Sequence, residues 1–144
     1  RGAEALDMLQ SMNLGQNGSM TTVHANVAAE AFDRLLVLAS ESDLNVAPTT
    51  IARQIASALD IVVHADLCED GVRRIVEIAE VVGVDKDDRE KVLATPLFLF
   101  QQTGVSDTGD VIGAHVGCDT VPTFFGDFAK SGRPIDPLIF KEGI

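Results

Sequence analysis

"IARQIASALDIVVHADLCEDGVRRIVEIAEVVGV", Ile51 to Val84, changes its period twice, and those changes decide the fold. Its first part repeats apolar residues at helical spacing. Ile51, Ala52, Ile55, Ala56 and Leu59 share one face of a helix, and Pro48 suits the first turn. "IVVHADLC" is a compact apolar run with strand character. Glu69-Asp70-Gly71 is a turn signal, and "VRRIVEIAEVVGV" resumes as a strand. The stretch therefore predicts a helix followed by an antiparallel hairpin.

Upstream, Ala5, Leu6, Met8, Leu9 and Met12 recur at helical spacing within Gly2–Met12. "NLGQNG" stops that helix with residues suited to left-handed or turn conformations. "SMTTVHA" is short and β-branched and predicts a strand. Asn26 is a good N-cap for a second helix, whose inner face is Ala28, Ala31, Phe32, Leu35, Leu36 and Ala39. "SESDLNVAP" is a polar loop.

Downstream, "DKDDREKV" predicts a charged loop or single turn. "ATPLFLFQQ" is another strand, whose start Pro96 places at an edge. "GDVIGAHVG" pairs with it across "SDTG". Val121–Lys130 predicts a short helix with Asp119 or Thr120 as cap and Gly132 beyond its end. The tail "RPIDPLIFKEGI" predicts irregular chain. The order gives an α/β fold in two parts: half of an open sheet with flanking helices, then an antiparallel hairpin extension. No repeat or linker divides residues 1–144, so a single domain is expected.

An apolar share of 46% and a charged share of 23% describe a soluble globular chain. The net charge of -11 and pI near 4.5 argue against a nucleic-acid surface or adhesion to anionic lipid. They do not exclude a nucleotide site, where a few local donors suffice. Cys68 and Cys118 are too few for a disulfide framework and are expected as buried free thiols. No run approaches 18 apolar residues, so no membrane span is expected. "RGAEALDMLQ" carries Glu4 and Asp7 and is no signal peptide; it reads as the start of a piece of something longer.

His24 is the most suggestive residue for chemistry. It closes the expected strand and precedes a helix N-cap, where open α/β sheets place ligands. A histidine there can donate to a phosphate oxygen or a water, and Asn26 can do so through its amide. Helix N-termini also favour anions. By period two, Thr22 rather than Thr21 shares a side with His24. The competing reading is a structural histidine capping a loop. His24, His64 and His115 match no zinc spacing with the two cysteines, so no metal site is expected. Arg1 and Glu4 suit a solvent ion pair, and Arg73 and Arg74 point to opposite faces as solvated charges beside Glu77 and Glu80. G-x-x-x-x-G-K-[ST] and G-x-S-x-G occur nowhere. From the residues alone there is an anion-binding hint at Thr22, His24 and Asn26, and no complete catalytic set.

"RGAEALDMLQSMNLGQNGSMTTVHAN" resembles the segment of the type II/type IV secretion ATPases that runs from just after the Walker B strand through the His box. The branch it looks most like is the CpaF/TadA type of tight-adherence pilus assembly. "ARQIASALDIVVHADLCEDGVRRIVEIAEVVGV" is similar to the family's helix, strand, hairpin and strand, and "FLFQQTGVSDTGDVIGAHVGCDTVPTFFGDFAKSGRPIDPLIF" to the same branch's C-terminal end. The resemblance implies the C-terminal part of a RecA-like P-loop ATPase domain, with Walker A and Walker B upstream of residue 1. It implies a hexameric motor that hydrolyses ATP with Mg²⁺, at the cytoplasmic face of the inner membrane, working with pilus or secretion platform proteins. His24 would be the His-box histidine near the nucleotide phosphates, flanked by Thr22 and Asn26. Arg1 would close the Walker B region. Gln16 stands where relatives commonly carry a first histidine, and its amide can hydrogen-bond but cannot carry charge. The chain by itself is expected to be inactive. The alternatives are a non-catalytic interaction module docking to a secretion-machinery partner, or a small anion-binding domain using the His24 helix terminus alone.

Overall fold

Apolar spacing becomes structure in the order α1 (Glu4–Asn13), α2 (Ala28–Ser40), α3 (Pro48–Ala58), β1 (Ile61–Leu67), β2 (Arg73–Val84), β3 (Val92–Val105), β4 (Val111–Gly117) and α4 (Phe125–Lys130), closed by a 3₁₀ turn at Pro137–Phe140. A computed structural model describes residues 2, 4–15, 18–42 and 44–141 of the chain. Its four strands form one sheet in the order β1-β2-β3-β4. This is the α/β class expected, a sheet with flanking helices and hairpin connections. Two compact units divide the chain, Arg1–Val62 with Val81–Ala94 and Val63–Glu80 with Thr95–Ile144.

The first unit is built by α1, α2 and α3, which pack on one another pairwise. Leu6 and Leu9 from α1, Phe32 and Leu35 from α2, and Ile51 and Ile55 from α3 make its core, joined by Val81 and Val92 from the strand ends. Each such side chain contributes roughly 1.5–3 kcal/mol by leaving water. Ala39 and Ala52 are fully buried and let the helix backbones approach. Asn13 Nδ2 donates to the carbonyls of Leu9 (2.9 Å) and Gln54 (3.1 Å), which ties the end of α1 to α3. Pro48 occupies the first turn of α3, where its missing N–H costs nothing.

In the second unit, both tight hairpins use one solution. Three residues separate Cys68 from Val72, and the Cys68 N–H donates to the Val72 carbonyl at 3.0 Å. Ser106 and Asp110 repeat the arrangement at 2.8 Å. The last loop residue is Gly71 at φ +77° in one and Gly109 at φ +90° in the other, a left-handed conformation that a side chain would strain. β3 and β4 pair antiparallel from Phe98↔Gly117 to Val105↔Val111, with an irregularity between Gln102 and Gly104. Pro96 precedes the first of these pairs, but β3 lies between β2 and β4 rather than at the edge that Pro96 suggests. Phe140 of the 3₁₀ turn lies against Phe98 (5.2 Å between centroids) and Phe125 (5.8 Å). Glu80 is buried, and its carboxylate accepts the Thr123 N–H at 3.0 Å and the Thr123 hydroxyl.

Several local expectations are corrected. Residues 19–25 are irregular chain rather than a strand. β-branched residues favour extended backbone, but a strand also needs a partner ladder. The N-cap of α2 is Val27, not Asn26, and it makes no side-chain cap bond. α4 begins at Phe125 rather than Val121, because Thr123 is held by Glu80 from a distant strand. The tail contains a 3₁₀ turn started by Asp136, whose carboxylate accepts the Leu138 N–H at 2.9 Å. Cys68 and Cys118 form no disulfide with one another, and both are half-buried rather than buried.

Candidate functional site

The segment from Thr21 to Asn26 leaves the first unit's core at the head of α2, and local polarity keeps it outside. Thr22, His24 and Asn26 are all exposed, with Val23 and Ala25 half-buried between them. Thr21 is exposed as well, so exposure does not single out Thr22 as the neighbour of His24. Asn26 is engaged: its N–H (3.1 Å) and its Nδ2 (3.0 Å) both donate to Glu30 Oε2. Glu30 lies in the first turn of α2, where a carboxylate answers the positive end of the helix. One N–H of Nδ2 is taken up by this bond; an incoming anion can use the other, beside the Glu30 carboxylate. The remaining residues expected at this site, Arg1 and Gln16, lie outside the described residues, and so does the expected Arg1–Glu4 pair.

A second cluster was not expected from the sequence. Asp70, in the first hairpin loop, takes Arg74 in a two-pronged pair, at 2.7 Å to Nη1 and 2.6 Å to Nη2. Its oxygens also accept the N–H of Val72 (3.1 Å) and of Val111 (2.9 Å), so one loop residue joins both hairpins. The Arg74 guanidinium holds the Asp70 carboxyl well below the usual carboxylate range, and the two amides add to this. Asp70, and after it the Cys68 sulfur, hold Arg74 above its ordinary value. Arg74 also lies over the Phe100 ring at 5.7 Å, and Phe100 meets the His115 ring edge-on at 5.4 Å. His115 Nε2 donates to the Ile75 carbonyl at 2.8 Å. Arg74 and Glu80 are thus not the solvated charges the sequence suggested. The period-two argument separates Arg73 from Arg74 but carries no information about a partner in the preceding turn.

Two cavities open in the first unit, and His24 lines neither. One, of about 380 Å³, is lined by Thr49, Arg53, Val84, Asp85, Lys86 and Arg89. The other, of about 630 Å³, shares Arg53 and includes Asn13, Thr50 and Gln54. Gln54 Oε1 is buried there without a hydrogen-bond partner among the described residues. Sequence reasoning missed both; the only signal was the alternation of charge in "DKDDREKV". Among the described residues no three His, Cys, Asp or Glu side chains converge as metal ligands, and no helix is long and apolar enough to cross a membrane.

An α/β chain with an exposed Thr-x-His-x-Asn segment heading a helix, and a hairpin sheet after it, fits part of a P-loop ATPase fold. The chain belongs to the family of type II/IV secretion system proteins, which it matches over residues 1–119. Rv3659c of Mycobacterium tuberculosis, named for conjugal transfer, is 37% identical over 79 residues, 55% of this chain and 22% of that protein. The conjugal transfer protein TrbB of Rhizobium radiobacter is 31% identical over 83 residues, 58% of this chain and 24% of its own length. The chain thus spans about a quarter of the length of these curated relatives.

Proposed function

We propose that this chain is part of a secretion-system motor ATPase, in which His24 contacts the terminal phosphate of bound ATP. The observation that carries the reading is the family match over residues 1–119, which takes in the whole His24 segment. The relatives named for conjugal transfer support the coarse role. The finer assignment, to the tight-adherence pilus branch, rests on the quoted stretches before Asn26 and after Phe98. A hexamer, a position at the cytoplasmic face of the inner membrane and platform-protein partners belong to the same proposal.

A phosphate contact needs hydrogen-bond donors open to a ligand. Thr22 and His24 are exposed and fit, and Asn26 fits through the second N–H of its amide. In the complete protein Mg²⁺ would be held mainly by phosphate oxygens and water with one or two carboxylates, and no step is drawn through it. Bound ATP would supply the phosphoryl group to be transferred. Phosphoryl transfer depends mainly on positioning and on stabilising spread negative charge. His24 would donate a ring N–H to a terminal-phosphate oxygen, or hold the attacking water, and the bond would strengthen as charge moves. α2 starts at Ala28, so a displacement of His24 would reach the head of a core helix through residues 25–27.

The test is steady-state ATP hydrolysis by the complete protein with His24→Ala. Turnover is expected to fall by about 10²-fold while ATP affinity changes far less, as for loss of one transition-state donor. Equal losses in both, or none, would contradict the reading.

A further inference from the structure

We propose that the cavity between α3 and the β2–β3 loop is a binding site for a soluble polyphosphate, separate from the His24 segment. Arg53, Lys86 and Arg89 line it, three of the eleven Lys and Arg side chains in a molecule of net charge -11. Acids outnumber bases two to one, so clustered cations would ordinarily find carboxylate partners. These do not: among the described residues none of the three lies in an ion pair, and Arg53 makes only a long contact from Nη2 to Thr50 Oγ1, at 3.4 Å.

The loop itself shows why. Asp85 Oδ1 accepts the N–H groups of Asp87 (2.8 Å) and Asp88 (3.1 Å), and Asp88 Oδ1 accepts that of Glu90 (3.2 Å). Two of the loop's acids are thus engaged with its own backbone, and those amides hold the Asp85 carboxyl below its ordinary range. Asp87, Asp88 and Glu90 are not among the walls, whereas Lys86 and Arg89 are. The walls thus carry three cations against the single carboxylate of Asp85. At about 380 Å³ it lies within the range of small-molecule sites, roughly 300–1,000 Å³. Thr49 adds a hydroxyl, and two guanidinium groups supply the planar forks that suit phosphate oxygens. A diphosphate or triphosphate matches that charge. A membrane of anionic headgroups carries the same chemistry but would be repelled by the rest of the molecule.

The test is a titration of the 144-residue chain with inorganic pyrophosphate, followed by amide NMR shifts. Saturable shifts at Thr49, Lys86 and Arg89 are expected. Arg89→Gln combined with Arg53→Gln should weaken the dissociation constant at least tenfold with amide dispersion intact, since both side chains are exposed. Arg133→Gln, an exposed cation elsewhere, should leave binding unchanged. Absence of saturation, shifts centred away from the cavity, or undiminished binding by the double variant would overturn the proposal. So would capture by phosphatidylglycerol vesicles without any response to pyrophosphate.

Discussion

Asp70 occupies a hairpin loop, yet it fixes Arg74, the amide of Val72 and the amide of Val111 at once. Its carboxyl is held below the value it takes in an unfolded chain, so its stabilising effect is complete above about pH 4 and fades as pH falls towards the folded value. Thermal melts of the natural chain and Asp70→Asn should therefore differ most near neutral pH and converge as pH drops below about 4. A gap that stays constant across that range would show that the ion pair does not carry the effect. The sequence announced the loop through Glu-Asp-Gly, but not the pairing, because an acid at the first hairpin and an amide at Val111 meet only after the sheet forms. His24 is the reverse case. Its exposure follows from local pattern, whereas the Asn26–Glu30 contact depends on where α2 actually starts.

At the scale of elements, the helices were legible because their apolar faces have the right period and meet in one core. Ile51, Ala52 and Ile55 are each fully buried, as their spacing predicts. Ile55→Ala should cost about 2–5 kcal/mol, the range for emptying a packed site, read as a lower urea midpoint at unchanged slope. A loss below about 0.5 kcal/mol would place Ile55 outside the core. The elements that were misread share a different cause. "SMTTVHA" has strand composition and no ladder; α4 is shortened by Glu80, 43 residues before Thr123. The 3₁₀ turn did carry a local signal, Asp136-Pro137, of the kind that starts helices. Gly117 shows how tightly that turn docks, since a Cβ there would meet the backbone of Phe140.

The helical unit carries the His24 segment and the basic cavity, and the second unit is organised by two matching hairpins. The strongly acidic composition foretold no anion site, because net charge averages over the very segregation that leaves Arg53, Lys86 and Arg89 facing one cavity. Membership of the type II/IV secretion system family rests on residues 1–119, and the motor role proposed from that match assigns the phosphate contact to the imidazole of His24. The most direct measurement is a structure of the complete protein with a non-hydrolysable ATP analogue bound. A ring nitrogen of His24 is predicted within about 3 Å of a terminal-phosphate oxygen or of a water held on it. An imidazole turned away, with all phosphate contacts made by other residues, would contradict the account.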